Sequence, residues 1–249
     1  MLRLVHGELR KTKRTWLRRL VVLGTLSMLL LTLPIKLLMP YLEFSWELHL
    51  YQWYNWWPVL FIPIGTALLA TLAAAMERKN RFLPMRLSPL APGKIWIAKV
   101  AALSLLSLAT FLILILFVLF SGLLVAQGDI PWKKIIIGGL VMWWASLPLI
   151  PLQLGIASGT HPALSLGAGF GGLLAGVLAA PKQYWVLIPW SWPIRLMSPI
   201  IGVHPNGLPL EVGDPLWDPS VIGIGLALSL ASYLTFTLVS GLWFNRKED

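Results

Sequence analysis

Predominantly apolar runs recur along the chain at about 20–38, 57–76, 95–126, 135–157, 163–180 and 221–244. A helix rising 1.5 Å per residue needs about 20 such residues to cross a hydrocarbon layer of ~30 Å, so the pattern predicts six transmembrane helices. The fold class that follows is an all-α integral membrane protein. The spans themselves form its single domain over residues 1–249. The run at 95–126 is long enough to tilt or to project past the bilayer.

The segments between these runs carry their own patterns. Residues 1–19, "MLRLVHGELRKTKRTWLRR", set seven Lys and Arg against the single carboxylate Glu8, with Leu2, Val5, Leu9 and Trp16 available for an apolar stripe. That is the signature of an amphipathic helix lying on the membrane surface, with Glu8 and Trp16 as its notable side chains. The competing reading is a signal-peptide n-region, but "LTLPIKLLMP" offers no A-x-A-like cleavage site and further spans follow. The pair Arg18 and Arg19 reads as a membrane-edge anchor in preference to a twin-arginine export signal. From Leu42 to Leu50 apolar and polar residues alternate with a period of two, which suits an extended, half-buried segment. A lone exposed strand would be awkward there, and the conformation of 41–57 stays open. Residues 181–219 are rich in Pro and Trp, and Pro189, Pro193 and Pro199 oppose one straight helix. A re-entrant or interfacial pair of short helices, an outer cap, fits them better, provided protein covers the broken backbone.

Charge orients this arrangement. With six spans both termini lie on one side, and that side collects fifteen of the twenty Lys and Arg, leaving five for the other. The positive-inside bias then places both termini in the cytoplasm, together with the 77–94 loop. The net charge of +10 would suit nucleic acid on a polar fold, but these charges flank apolar runs and nucleic acid is not an expected partner. Apolar residues make up 57% of the chain and charged ones 12%, about half the charge of a soluble domain, which agrees with the span count. Without cysteine, disulfides, thiolate metal sites and cysteine nucleophiles are excluded.

Several chemistries are absent. All ten carboxylates lie outside the runs or at their ends, as Glu77 does, so the mid-membrane ionisable group of an ion-coupled carrier is missing. No H-E-x-x-H occurs, the four histidines are scattered, and Ser158 with His161 reads as incidental. "GAGFGG" satisfies G-x-G-x-x-G but sits inside an apolar run with no strand before it. The same stretch gives Gly167 with Gly171, and Gly172 with Gly176, at the G-x-x-x-G spacing that lets membrane helices pack closely. "APGK" at 91–94 lacks the features of a P-loop, so no catalytic residue, metal or bound cofactor is expected on this chain.

The 76–100 stretch, "MERKNRFLPMRLSPLAPGKIWIAKV", remains to be explained. One reading makes its six cations orientation signals that touch anionic lipid, each worth on the order of 1 kcal/mol. That leaves Phe82, Leu83, Met85, Leu87 and Leu90, set among the charges, without a role. A short amphipathic helix followed by the Ser88-Pro89 turn accounts for them, as a knob for a groove on a soluble partner.

Taken in order, the basic N-terminal helix with Glu8, the second run ending in "MERK", the "LSPLAPGKIWIAKV" re-entry and "PWSWPIRL" in the last outer connection resemble type-2 ABC export permeases. The likeness is to six-span subunits of lantibiotic-immunity and peptide-toxin exporters of the phenol-soluble-modulin type. Its most telling residues are Glu77, the run Arg86, Leu87, Ser88 and Pro89, and Trp96 with Lys99. The long acidic or His-rich insertions of some relatives are missing. The resemblance implies that residues 77–94 form the coupling element, with Glu77, Arg81, Leu83, Arg86, Leu87, Ser88, Pro89 and Leu90 docking on a cytoplasmic ATPase. It further implies two copies of that ATPase, which would hold ATP and Mg, and a second permease copy or sister permease. It implies a bacterial plasma-membrane location and an amphipathic peptide substrate that already partitions into membrane lipid. A cavity between protomers lined by Trp143, Trp144 and the small residues of the fifth run would suit such a peptide, although the two tryptophans also read as lipid-facing packing. The alternatives are export of a lipid, a polyketide or a small antibiotic, and a non-transporting assembly factor or sensor.

Overall fold

The computed structural model describes residues 1–38, 44–79 and 90–246. Helix α1 (Leu2–Lys11) meets α2 (Trp16–Leu38) at a bend of 77°. Hydroxyls hold the elbow: Thr12 donates to the Leu9 carbonyl at 2.8 Å and Thr15 to the Thr12 carbonyl at 2.7 Å. Arg14 stands between the two helices with φ +60°, a left-handed conformation uncommon outside glycine.

Residues 46–56 form α3 (Trp46–Trp56), so the alternation noted in 42–50 does not produce an extended segment where the chain is described. The reason lies in a second periodicity. Trp46, His49, Leu50, Trp53 and Tyr54 recur at i, i+3, i+4, i+7 and i+8, and all five are buried, while Ser45 caps the helix by accepting from the Leu48 amide at 3.2 Å. A wide π turn at 57–61 carries α3 into α4 (Ile62–Lys79). Pro58 lies in that turn, and with no N–H it cannot close the α-helical bond to the carbonyl four residues back.

Helix α5 (Pro92–Val125) opens with proline in its first turn and runs for 34 residues, about 50 Å. Then follow α6 (Trp132–Ser146), α7 (Leu149–Gly159), α8 (Pro162–Ala179), the short α9 (Ser191–Met197) and α10 (Ser220–Arg246). Between α8 and α10 the chain forms only short pieces, with 3-10 turns at 183–187 and 215–217 and a π turn at 198–202 around α9. Among the described residues five helical stretches are long and apolar enough to cross a membrane, or six if the bent α1–α2 pair counts as one. The protein is an all-α integral membrane protein.

Helix α5 is the central post, in contact with α1, α2, α6 and α10, while α4 packs on α7 and α8. One apolar cluster gathers Trp53, Tyr54, Trp57, Leu114, Met142 and Leu196 towards the end that carries the 181–219 connection. The other, with Leu17, Trp96, Val100, Leu103 and Leu154, lies towards the end that holds both termini. Close approach requires glycine at the first: a Cβ on Gly122 of α5 would run into the Trp46 ring. Buried polar groups also tie helices together. The Tyr54 hydroxyl donates to the Ile135 carbonyl, His49 Nε2 lies 3.1 Å from both the Val118 carbonyl and Ser121 Oγ, and Ser165 donates to Gln153 Oε1 at 2.8 Å.

Candidate functional site

At the end of the bundle that carries both termini, four ionisable side chains from three helices meet. Lys99 Nζ of α5 lies 2.5 Å from Glu8 Oε2 of α1 and 2.6 Å from Glu77 Oε1 of α4. Lys11 Nζ, one turn beyond Glu8, lies 2.6 Å from Glu8 Oε1 and 3.2 Å from Glu77 Oε1. Glu8, Glu77 and Lys99 are buried, whereas the Lys11 side chain is 37% exposed. Two anions and two cations cancel formally, which is what permits burial: a lone charge there would be strongly unfavourable. Burial pulls the Lys11 pKa down, but the hydrogen bond and charge of Glu8, and those of Glu77, outweigh it and hold the ammonium above its usual 10.5.

The neighbours of this cluster extend the tie. Arg78, next to Glu77, donates through Nη2 to the carbonyls of Ala157 at 3.0 Å and Ser158 at 3.3 Å, and to that of Thr160. It thereby caps the C-terminus of α7, where unpaired carbonyls and the negative end of the helix dipole favour a cation. On α5, one turn before Lys99, the Trp96 indole donates to Ser240 Oγ at 2.9 Å and stacks on Phe244 with centroids 4.9 Å apart. Both ends of the 80–89 segment are therefore fastened, the entry to α1, α5 and α7 and the exit to α1, α4 and α10.

Deeper in the bundle a groove of about 400 Å³ runs between α2, α4 and α5. Leu23 and Gly24 of α2, Trp57 in the π turn, Phe61 and Gly65 line it together with Phe111 of α5, and its wall is almost wholly apolar. The cluster is a set of paired charges and the groove an apolar cleft. They can bind an apolar group and transmit force.

The family described as ABC-2 family transporter protein matches residues 4–170, well over half of the chain and a span that includes most of α1, the 77–94 loop and the charge cluster. The chain belongs to the ABC-2 transporter family. It is a multi-pass permease component of an ABC transporter, a class that in general works with an ABC ATPase and is not itself catalytic. Neither the curated proteins nor the solved structures contain a match to the chain.

In this ABC-2 permease the residues singled out from sequence fall into distinct places. Glu8 and Glu77 meet in the cluster, while Trp16 is 59% exposed beneath the Arg19 guanidinium, 4.7 Å from the ring centroid. Leu90 stands exposed just before α5. Arg81, Leu83, Arg86, Leu87, Ser88 and Pro89 lie outside the described residues. Trp143 is half-buried and donates to Ser107 Oγ at 3.1 Å, and Trp144 is 38% exposed and donates to the Leu226 carbonyl at 3.3 Å. Neither lines the α2–α4–α5 groove, and nor does α8. The four glycines of α8 do not form one seam. Gly172 and Gly176 lie against Trp190 of the 181–219 connection, whereas a Cβ at Gly167 or Gly171 would meet nothing within 4 Å. Lys11 and Arg78 were not singled out as site residues. The i, i+3 spacing of Glu8 and Lys11 was a usable signal, but nothing local pairs Arg78 with carbonyls some 80 positions away.

Proposed function

We propose that this ABC-2 permease exports amphipathic peptides from a bacterial cell, for toxin export or self-immunity, with both termini and the 77–94 loop in the cytoplasm. The fifteen-to-five division of Lys and Arg supports that orientation. Two copies of a soluble ATPase, carrying ATP and Mg, would engage the loop, and the permease would pair with a second copy or a sister subunit. The reading rests on the fastening of both ends of residues 80–89 into the bundle by Glu77, Lys99, Arg78 and Trp96. A loop pushed by a partner does work on the spans only if its ends are stiff, and buried ion pairs with shared hydrogen bonds supply that stiffness. The peptide cargo rests on the order of motifs along the chain.

Purification of the full chain in mild detergent, co-expressed with a candidate ABC ATPase subunit, tests the coupling role. The wild type retains the ATPase, and Arg86→Glu or Leu87→Glu releases it. Retention and undiminished export in both variants would remove the docking assignment. Amphipathic helical peptides raise ATP hydrolysis by the reconstituted complex, and stimulation by lipids or small antibiotics instead of peptides would reassign the cargo.

A further inference from the structure

The groove between α2, α4 and α5 ends where arginines begin. Leu23 lines both the groove and a shallow depression formed with Arg14, Arg18 and Arg19 at the start of α2. Arg19, Leu23 and Ser27 follow one another at i, i+4 and i+8, so a cation and the groove share one helix face. Arg18 donates to Thr12 Oγ1 at 3.3 Å and to the Leu9 carbonyl at 3.4 Å, and Arg19 lies over Trp16. Among the described residues no carboxylate pairs with Arg14, Arg18 or Arg19, while Glu8 and Glu77 are engaged by Lys99 and Lys11. The described carboxylates thus leave their positive charge open to an external anion.

Two glycines hold the groove open, and packing does not demand either. A Cβ on Gly65 would meet nothing within 4 Å, and one on Gly24 only Trp57 Cη2 at 3.7 Å. Larger side chains at these two positions would therefore project into the groove without clashing with its frame. Its size selects the occupant. At roughly 30 Å³ per methylene-sized group, about 400 Å³ accepts on the order of a dozen carbons laid lengthwise. A peptide helix 10–12 Å across would place only about one turn in the same volume.

The geometry points to a resident anionic phospholipid, with one acyl chain in the α2–α4–α5 groove and its phosphate held by Arg14, Arg18 and Arg19. Apolar burial supplies affinity for any such chain, and the arginines supply preference for the negative headgroup. This site is separate from the cargo proposed above, and it does not require nucleotide or the ATPase.

Native mass spectrometry of the full chain, released from micelles containing phosphatidylglycerol or phosphatidylcholine with identical acyl chains, tests it. The wild type retains one phosphatidylglycerol and prefers it about 25-fold, roughly fivefold for each of two cations near the headgroup. Arg19→Gln reduces that preference about fivefold, the effect of losing one cation near a charged surface, and Arg14→Gln/Arg19→Gln brings it close to the level of phosphatidylcholine. Gly65→Leu, and independently Gly24→Leu, lower retention of both lipids, with helicity by circular dichroism confirming that the variants fold. Leu116→Ala, on the exposed face of α5 away from the groove, changes neither. Equal retention of the two lipids by the wild type, or unchanged retention in the folded glycine variants, would overturn the proposal. So would displacement of the lipid by a second copy of the chain covering the groove.

Discussion

Lys99 is the residue on which the charge cluster turns. Its ammonium bridges carboxylates from α1 and α4, and its removal leaves Glu8 and Glu77 facing each other with only the half-exposed Lys11 between them. Breaking a buried pair by deleting one partner costs about 3–5 kcal/mol, mainly because the remaining charge stays buried without compensation. Lys99→Met is therefore expected to lower the thermal midpoint of the detergent-solubilised chain sharply. Glu77→Gln on the Lys99→Met background should recover part of the loss, since one surplus anion is removed with the cation. A double-mutant cycle on thermal unfolding measures this coupling, and additive effects would show that the two residues act independently. The positive charge of Arg78 has a different role. Among the described residues it answers the carbonyls at the end of α7 and no carboxylate, which is why charge pairing along the sequence could not reveal it.

At the scale of elements, the apolar runs were readable because a membrane forces helices to satisfy their own backbone, so length and composition suffice. Where two periodicities overlap the sequence leaves the choice open: Leu42 to Leu50 alternates with a period of two, yet Trp46, His49, Leu50, Trp53 and Tyr54 also keep helical spacing, and burial of that face against α5 and α6 decides between them. The cluster was half readable. Glu8 and Glu77 stand out as carboxylates among cations, but their meeting at Lys99 depends on the turn-back of α1 at the Thr12–Thr15 elbow, which no local pattern records. Helix α8 shows the same limit, since a glycine spacing says that something packs closely without saying what. Gly176→Ala is expected to cost about 1–3 kcal/mol, because its Cβ would lie 2.9 Å from the Trp190 carbonyl, a backbone atom that cannot swing aside. Gly171→Ala, with no neighbour in reach, should be neutral or slightly stabilising, since alanine is the better helix former. Thermal unfolding of the two variants side by side checks the asymmetry, and equal losses would mean that Gly171 is packed against a second chain.

Across the whole molecule, force applied to residues 80–89 has two routes out. One passes through Glu77 and Lys99 into α1 and α5, the post that contacts α2, α6 and α10. The other passes through Arg78 into the end of α7, and α7 continues the path of α6 towards the opposite face. Loss of the second route should leave the docking surface intact while removing part of the transmission. Arg78→Met is therefore expected to retain the co-purifying ATPase and its basal hydrolysis. Export from reconstituted vesicles should fall about tenfold, the rate expected when roughly 1.4 kcal/mol of coupling is lost. Arg86→Glu provides the contrast, because on the proposed docking role a change in the loop itself is expected to remove ATPase and export together. Should Arg78→Met release the ATPase as completely as Arg86→Glu, the cation belongs to the docking surface. Should export survive Arg78→Met unchanged, the path through α7 carries no work, and the charge cluster at Lys99 must transmit all of it.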